Sequence, residues 1–173
     1  PSIGALLANE QLDGHLKIRP RIVATAAEIC TGDMAQAIAK AWNVRPFNVY
    51  GATEALDIGV NCNKYEGIHA FEDLAILEVV DENNKPVPDG IQGHKVLITN
   101  LYNYTQPLIR YELNDMITMS TKSCSCGRPF RLIKKIEGRS DDILQLEGID
   151  SRLIPVHPIH FRSLFNGLPQ IKE

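Results

Sequence analysis

Apolar positions in the first quarter of the chain switch between helical and strand spacing. Ile3-Gly4-Ala5-Leu6-Leu7-Ala8 is apolar at helical spacing and stops near Asp13-Gly14, which predicts a short opening helix closed by a turn. Arg21-Ile22-Val23-Ala24-Thr25 is compact and β-branched, so it reads as a strand. Thr31-Gly32-Asp33 then introduces residues 34–42, where Met34, Ile38, Ala41 and Trp42 share one helical face. A second strand, Phe47-Asn48-Val49-Tyr50, runs straight into Gly51-Ala52-Thr53-Glu54. The first 56 residues therefore form an α/β strand-helix-strand part of an open sheet, with a loop at the strand's carboxyl end, the edge where such sheets bind ligands.

From residue 57 the pattern changes to short strands separated by turns, predicted at 75–80, 95–101, 108–111, 116–119 and 132–137. Residues 57–140 are thus expected to form a β-rich, barrel-like subdomain. Residues 81–90, rich in Asp, Asn, Pro and Gly, lie between two strand patterns and predict a solvated hairpin connection. A boundary is expected near Asp141, which leaves 141–173 as a separate segment. There are no internal repeats.

With 173 residues, 44% of them hydrophobic, the chain can bury a core of about one domain's size. Its 18 basic against 21 acidic residues give a formal charge of −3. No basic run exists to neutralise a phosphate backbone, so nucleic acid is not an expected partner. No stretch of about 18 apolar residues is present, and Pro1-Ser2-Ile3-Gly4 carries no leader pattern, so the expectation is a protein of the cytoplasm with no membrane span. The lack of an initiating methionine and the ending at Gln170-Ile171-Lys172-Glu173 read as those of a segment.

The first chemical constellation is Tyr50-Gly51-Ala52-Thr53-Glu54. A strand end here delivers an aromatic ring, two small residues, a hydroxyl and a carboxylate within five positions. Those are the groups a nucleotide needs: a ring for the base, room for close backbone approach, and polar groups near phosphate and Mg²⁺. The same string also suits a strand ending in a turn with a helix-capping Thr53. Downstream come Thr99-Asn100-Leu101, then Arg110-Tyr111-Glu112-Leu113-Asn114-Asp115, then Glu137-Gly138-Arg139-Ser140-Asp141-Asp142. Asp115 follows Glu54 by 61 positions and precedes Arg139 by 24.

In order and spacing these landmarks resemble the adenylate-forming superfamily of acyl-CoA and aryl-CoA synthetases. Gly67-Ile68-His69 with Glu72-Asp73, and the tail from His157-Pro158 to Phe161-Arg162-Ser163, are similar to the phenylacetate-coenzyme A ligase branch. The resemblance spans nearly the whole chain and implies a piece of an ATP-dependent, carboxylate-activating ligase, with ATP or AMP, Mg²⁺, a small carboxylate and coenzyme A as ligands of the parent enzyme. It implies Tyr50, Gly51 and Ala52 at the base, Thr53 near phosphate, Glu54 at magnesium, and Asp115 with Arg139 at the ribose; Thr53 and Glu54 are the catalytic pair. An ion pair with Asp141 or Asp142 is the plainer reading of Arg139. Glu28 falls where the family has Gly-Ala-Glu, although here the run is Ala26-Ala27-Glu28. Asp141 matches the hinge of the family's small carboxyl-terminal domain, and an exposed loop aspartate is its alternative. No glycine-rich phosphate loop precedes Tyr50; the family also uses a lysine in that domain, and this sequence stops about 30 residues past the presumed hinge. The chain alone is therefore expected to be inactive.

A separate constellation is Cys62, His69, Cys124 and Cys126, three thiols and one imidazole, a ligand set that suits structural Zn²⁺. Ordinary buried thiols beside a surface histidine, or a disulfide, are the alternatives. A non-catalytic, zinc-stabilised module for nucleotide binding or interaction is accordingly the second functional reading. Cys30 is expected in the core, as is Trp42. His15, His94, His157 and His160 show no pairing that would make a base or a metal site.

Overall fold

The structure, a computed structural model, describes residues 1–156 together with Pro158 and Phe161. Helix α1 (Ser2–Leu12) ends at Asp13, and Gly14 follows at φ +82°, a left-handed turn that suits glycine. Strand β1 (Ala24–Thr25) leads into helix α2 (Gly32–Trp42). Thr31 caps that helix by accepting the Met34 N–H at 3.4 Å, and Asn43 closes it at φ +54°. Strand β2 (Phe47–Ala52) then pairs parallel with β1, which completes the predicted strand-helix-strand unit.

The chain turns tightly at residues 53–55 into β3 (Leu56–Asn61), and β4 (Ile68–Ala70) follows. Strands β5 (Ala75–Val80), β6 (Lys95–Asn100) and β7 (Tyr111–Leu113) form an antiparallel three-stranded sheet. Its 81–90 connector is the expected turn region, where the Asp81 carboxylate accepts the N–H groups of Asn83 and Lys85 at 2.8 and 2.9 Å. Strands β8 (Asp115–Met119) and β9 (Leu132–Arg139) return to the first sheet, giving the order β1-β2-β3-β4-β9-β8. A 3-10 turn (Ser140–Asp142) precedes a small antiparallel hairpin, β10 (Leu144–Glu147) with β11 (Leu153–Val156).

Among the described residues the β-rich part consists of open sheets and no closed barrel. The core lies between the six-stranded and three-stranded sheets. Ile58, Ile68, Ile117 and Ile133 from the first meet Leu77, Val79, Val96 and Ile98 from the second, all nearly inaccessible to solvent. The first sheet is continuous across the expected division at residue 56, because β2 and β3 are hydrogen-bonded neighbours. Neither Trp42 nor Cys30 reaches the core, and both are half-buried. Helix α2 buries Met34 and Ile38 and packs on α1, which leaves Trp42 at its last position only partly covered. The tail residues His157, His160, Arg162 and Ser163 lie outside the described residues.

Candidate functional site

The hairpin between β2 and β3 presents the first constellation. The sheet register slips between Tyr50 and Gly51, so Gly51 faces Asp57 and Ala52 faces Leu56. A Cβ on Gly51 would sit 2.6 Å from the carbonyl oxygen of Leu56, so only glycine allows the two backbones to approach this closely. Thr53, Glu54 and Ala55 make the turn, closed by Ala55 N–H donating to the Ala52 carbonyl at 3.1 Å. Thr53 and Glu54 are thereby held at the hairpin tip, and no helix follows for Thr53 to cap.

Asp115 opens β8 and Arg139 ends β9, and the two are directly paired across the ladder. The 24 positions between them in sequence collapse to neighbouring strands. Asp115 also receives the Tyr50 phenol, whose hydroxyl donates to Oδ2 at 2.8 Å. Burial raises the Asp115 carboxyl above the ordinary range, while the Tyr50 hydrogen bond and the nearby Arg139 charge pull it back down. Burial also raises the Tyr50 phenol, with the Asp115 charge acting in the same direction. Tyr50 is only 7% exposed, so its hydroxyl is engaged and its ring largely packed.

Two open cavities meet at these residues. The larger, about 880 Å³, is lined by Ala27, Glu28, Tyr50 and Gly51 together with the β9 strand. The smaller, about 590 Å³, is lined by Gly51, Ala52, Thr53, Glu54 and Tyr111. Ala27, Val49, Gly51, Asp115 and Arg139 line both and form their common wall. Ala27, the middle residue of the Ala26-Ala27-Glu28 run, takes φ +69°, an uncommon conformation for alanine. The Glu28 carboxylate accepts the Ser2 hydroxyl at 2.6 Å, which ties α1 to the cavity edge. Tyr111 donates to Glu54 Oε1 at 3.2 Å, and that hydrogen bond raises the Tyr111 phenol. Every residue expected at the nucleotide from the sequence borders one cavity or the other. The Tyr50 and Tyr111 hydroxyl contacts had no sequence signal.

The Arg139 guanidinium turns to Asp141, with Nε 3.2 Å from Oδ1, so the surface ion pair set out as the plainer reading is present. Both side chains are more than half exposed, and the pair is open to exchange for a ligand. Asn114 donates to Asp141 Oδ2 at 3.2 Å and holds that carboxyl below its ordinary range.

The cysteines converge as well. Cys62 follows β3, His69 sits within β4, and Cys124 and Cys126 lie in the β8–β9 loop; the four donor atoms all fall within 4.8 Å of one another. His69 is 3% exposed, so it is no surface histidine. All four cysteines are free, and the Cys62 and Cys124 sulfurs lie 3.6 Å apart, longer than a disulfide bond.

The hairpin-tip Thr53-Glu54 pair and the strand-paired Asp115 and Arg139 border the same cavity, and comparison with known proteins places the fold. No protein-family model matches the chain. The phenylacetate-coenzyme A ligase of Thermus thermophilus is 29% identical over 149 residues, covering 84% of this chain and 32% of that protein. The phenylacetate-coenzyme A ligase of Pseudomonas putida is 30% identical over 149 residues, covering 83% and 33%. An open-conformation structure of 2-hydroxyisobutyryl-CoA ligase with 2-HIB-AMP and CoA superposes on 98% of this chain and 38% of its own, with a TM-score of 0.73 at 22% identity. The chain belongs to the adenylate-forming acyl- and aryl-CoA ligases, on the phenylacetate-coenzyme A ligase-like branch. It spans about a third of the length of the curated relatives it matches.

Proposed function

We propose that the chain carries the nucleotide cleft of a cytoplasmic ATP-dependent ligase that activates a small carboxylate as its acyl or aryl adenylate and passes it to coenzyme A. The observation that carries this reading is the common wall of the two cavities. Adenine enters the larger cavity, beside Ala27, Glu28 and the edge of Tyr50. The ribose lies against Asp115 and Arg139, where one short carboxylate accepts from two vicinal hydroxyls, and the phosphates reach Thr53 and Glu54 in the smaller cavity. Thr53 donates its hydroxyl to phosphate oxygen, and Glu54 would hold Mg²⁺, an oxygen-seeking ion that offsets charge on the phosphates. The exposed pair with Asp141 releases Arg139 to the ligand. Residues 141–173 are read as the hinge and the start of the carboxyl-terminal domain, with Asp141 as the pivot.

The second reading, a non-catalytic zinc-stabilised module, rests on the Cys/His cluster alone. That cluster sits at the opposite end of the β8–β9 hairpin from Asp115 and Arg139, so a metal there would fit an enzyme equally well. ATP-pyrophosphate exchange by the full-length protein, across a panel of aryl and alkyl carboxylic acids, tests the proposal. Exchange that depends on one acid and is lost in Asp115→Ala is expected; an unchanged ATP dissociation constant in that variant removes Asp115 from the site.

A further inference from the structure

We propose that Cys62, His69, Cys124 and Cys126 form a closed tetrahedral zinc site that clasps the β8–β9 loop onto the β3–β4 turn. Two sulfurs bound to one Zn²⁺ at about 2.3 Å lie roughly 3.8 Å apart at the tetrahedral angle, and a sulfur and an imidazole nitrogen roughly 3.6 Å apart. The Cys62 and Cys124 sulfurs are 3.6 Å apart, and Cys126 Sγ is 3.4 Å from His69 Nε2. Three soft thiolates and one imidazole select zinc over magnesium or calcium, which take oxygen ligands.

The surroundings are also those of a metal clasp. Between residues 120 and 131 there is no helix or strand, and Cys124 is the one buried residue. Among the described residues the apolar cluster around the thiols contains only Leu132 besides the cysteines themselves, too little to fix the loop by hydrophobic burial. The His69 ring is nearly inaccessible and its Nδ1 has no hydrogen-bond partner among the described residues, so without a metal only a thiol contact there offsets the burial of the imidazole. His69 is held in place by backbone pairing with Val60 on one side and Leu132 on the other.

Three thiolates on one Zn²⁺ leave a net negative charge, and donors face it. The Lys64 backbone N–H donates to Cys62 Sγ at 3.4 Å, and Arg128 Nη1 to Cys126 Sγ at 3.8 Å. Gly127, at φ +81°, bends the chain directly after Cys126, with its N–H donating to the Cys124 carbonyl at 3.2 Å. The nearby carboxylate, Glu66, accepts the Ser125 N–H at 2.8 Å and the Ser125 hydroxyl at 2.6 Å, and it also meets the Cys124 thiol. Those hydrogen bonds hold Glu66 below the ordinary carboxylate range and latch the same two segments beside the cluster. All four ligands come from the protein, which leaves no coordination position for substrate or water, so the role is structural.

Two measurements on the full chain decide it. Elemental analysis of protein purified without chelator is expected to give about one zinc per chain. Titration of the reduced, metal-free chain with Co²⁺ is expected to produce the intense visible absorption of tetrahedral cobalt-thiolate, bleached by added Zn²⁺. Neither needs a variant that could fail to fold. Cys124→Ser is expected to weaken zinc binding more than about 100-fold, beyond the 10–100-fold typical of losing a group that only supports a ligand. Cys30→Ser serves as a control and leaves affinity unchanged. Absence of zinc together with an octahedral or featureless cobalt spectrum, or equal loss in the Cys30 variant, overturns the proposal.

Discussion

The Tyr50 hydroxyl and the Asp115 carboxylate, 65 positions apart in sequence, meet at 2.8 Å and join β2 to β8 beneath the wall shared by the two cavities. A carboxylate offers about four acceptor positions, and Tyr50 occupies one, which fixes the plane of the others. Tyr50→Phe keeps the ring in the core and removes only that donor. It is expected to weaken ATP binding by the full-length protein by about 0.5–1.5 kcal/mol, the usual range for one hydrogen bond. Isothermal calorimetry checks it, and an unchanged dissociation constant would separate Tyr50 from the orientation of Asp115.

Asp115 also predicts a pH dependence. Burial raises its folded-state carboxyl above the unfolded value, so the folded chain binds this proton more tightly than the unfolded chain does. The resulting stability is fully present below the ordinary carboxylate value and is lost as pH rises through the raised one. At neutral pH the ionised group therefore works against folding, and Asp115→Asn is expected to raise the melting temperature there. That advantage should shrink as pH falls below the ordinary carboxylate value, where the wild-type group is neutral too. Scanning calorimetry at pH 7 and at pH about 3.5 makes the comparison. The same variant should bind ATP less well, because the charge that costs stability is the one a ribose would use.

Gly51 gives a purely steric prediction. Its missing Cβ would lie 2.6 Å from the Leu56 carbonyl oxygen, a backbone atom that cannot rotate away. Gly51→Ala must open the β2–β3 hairpin and displace Thr53 and Glu54 from the tip. A loss of about 1–3 kcal/mol in urea unfolding is expected, with reduced nucleotide affinity alongside it. A variant of wild-type stability would show that the hairpin is wider in solution.

The elements legible in the sequence were those whose local pattern and tertiary role agree. Strands β5 and β6 carry compact β-branched runs, and each buries four of its six residues. Strand β3 was not legible, because in Leu56-Asp57-Ile58-Gly59-Val60-Asn61 three poor strand formers are interleaved with the three apolar residues. Gly59 is there for a reason no local pattern contains: a Cβ would collide with the His69 backbone across the sheet. Strand β4 is three residues long, too short to show a period. Strands β10 and β11 are mostly exposed and have no buried face to mark them. The site divides in the same way. Residue types with distinctive chemistry, such as the Thr53-Glu54 pair and the three clustered thiols, could be found from sequence. The Tyr50 and Tyr111 contacts could not, since a tyrosine in a strand has the same local signal whether or not its hydroxyl reaches a carboxylate.

Metal removal supplies the last prediction. An ion that binds the folded chain and not the unfolded one stabilises it by RT ln(1 + [L]/Kd), about 2.7 kcal/mol when free zinc stands at 100 times its dissociation constant. For a chain of this size that corresponds to a fall of roughly 5–10 °C in melting temperature on chelation. The loss should be local before it is global, because the clasped loop has one buried residue and its core neighbour is Leu132. Hydrogen exchange should therefore accelerate first in residues 120–131 and 62–69, ahead of the β5–β6 strands, whose apolar residues lie in the main core. Restoring zinc should reverse both changes, while magnesium should not. A melting temperature indifferent to chelator, or exchange that accelerates uniformly along the chain, would mean that the thiols and His69 pack together without an ion.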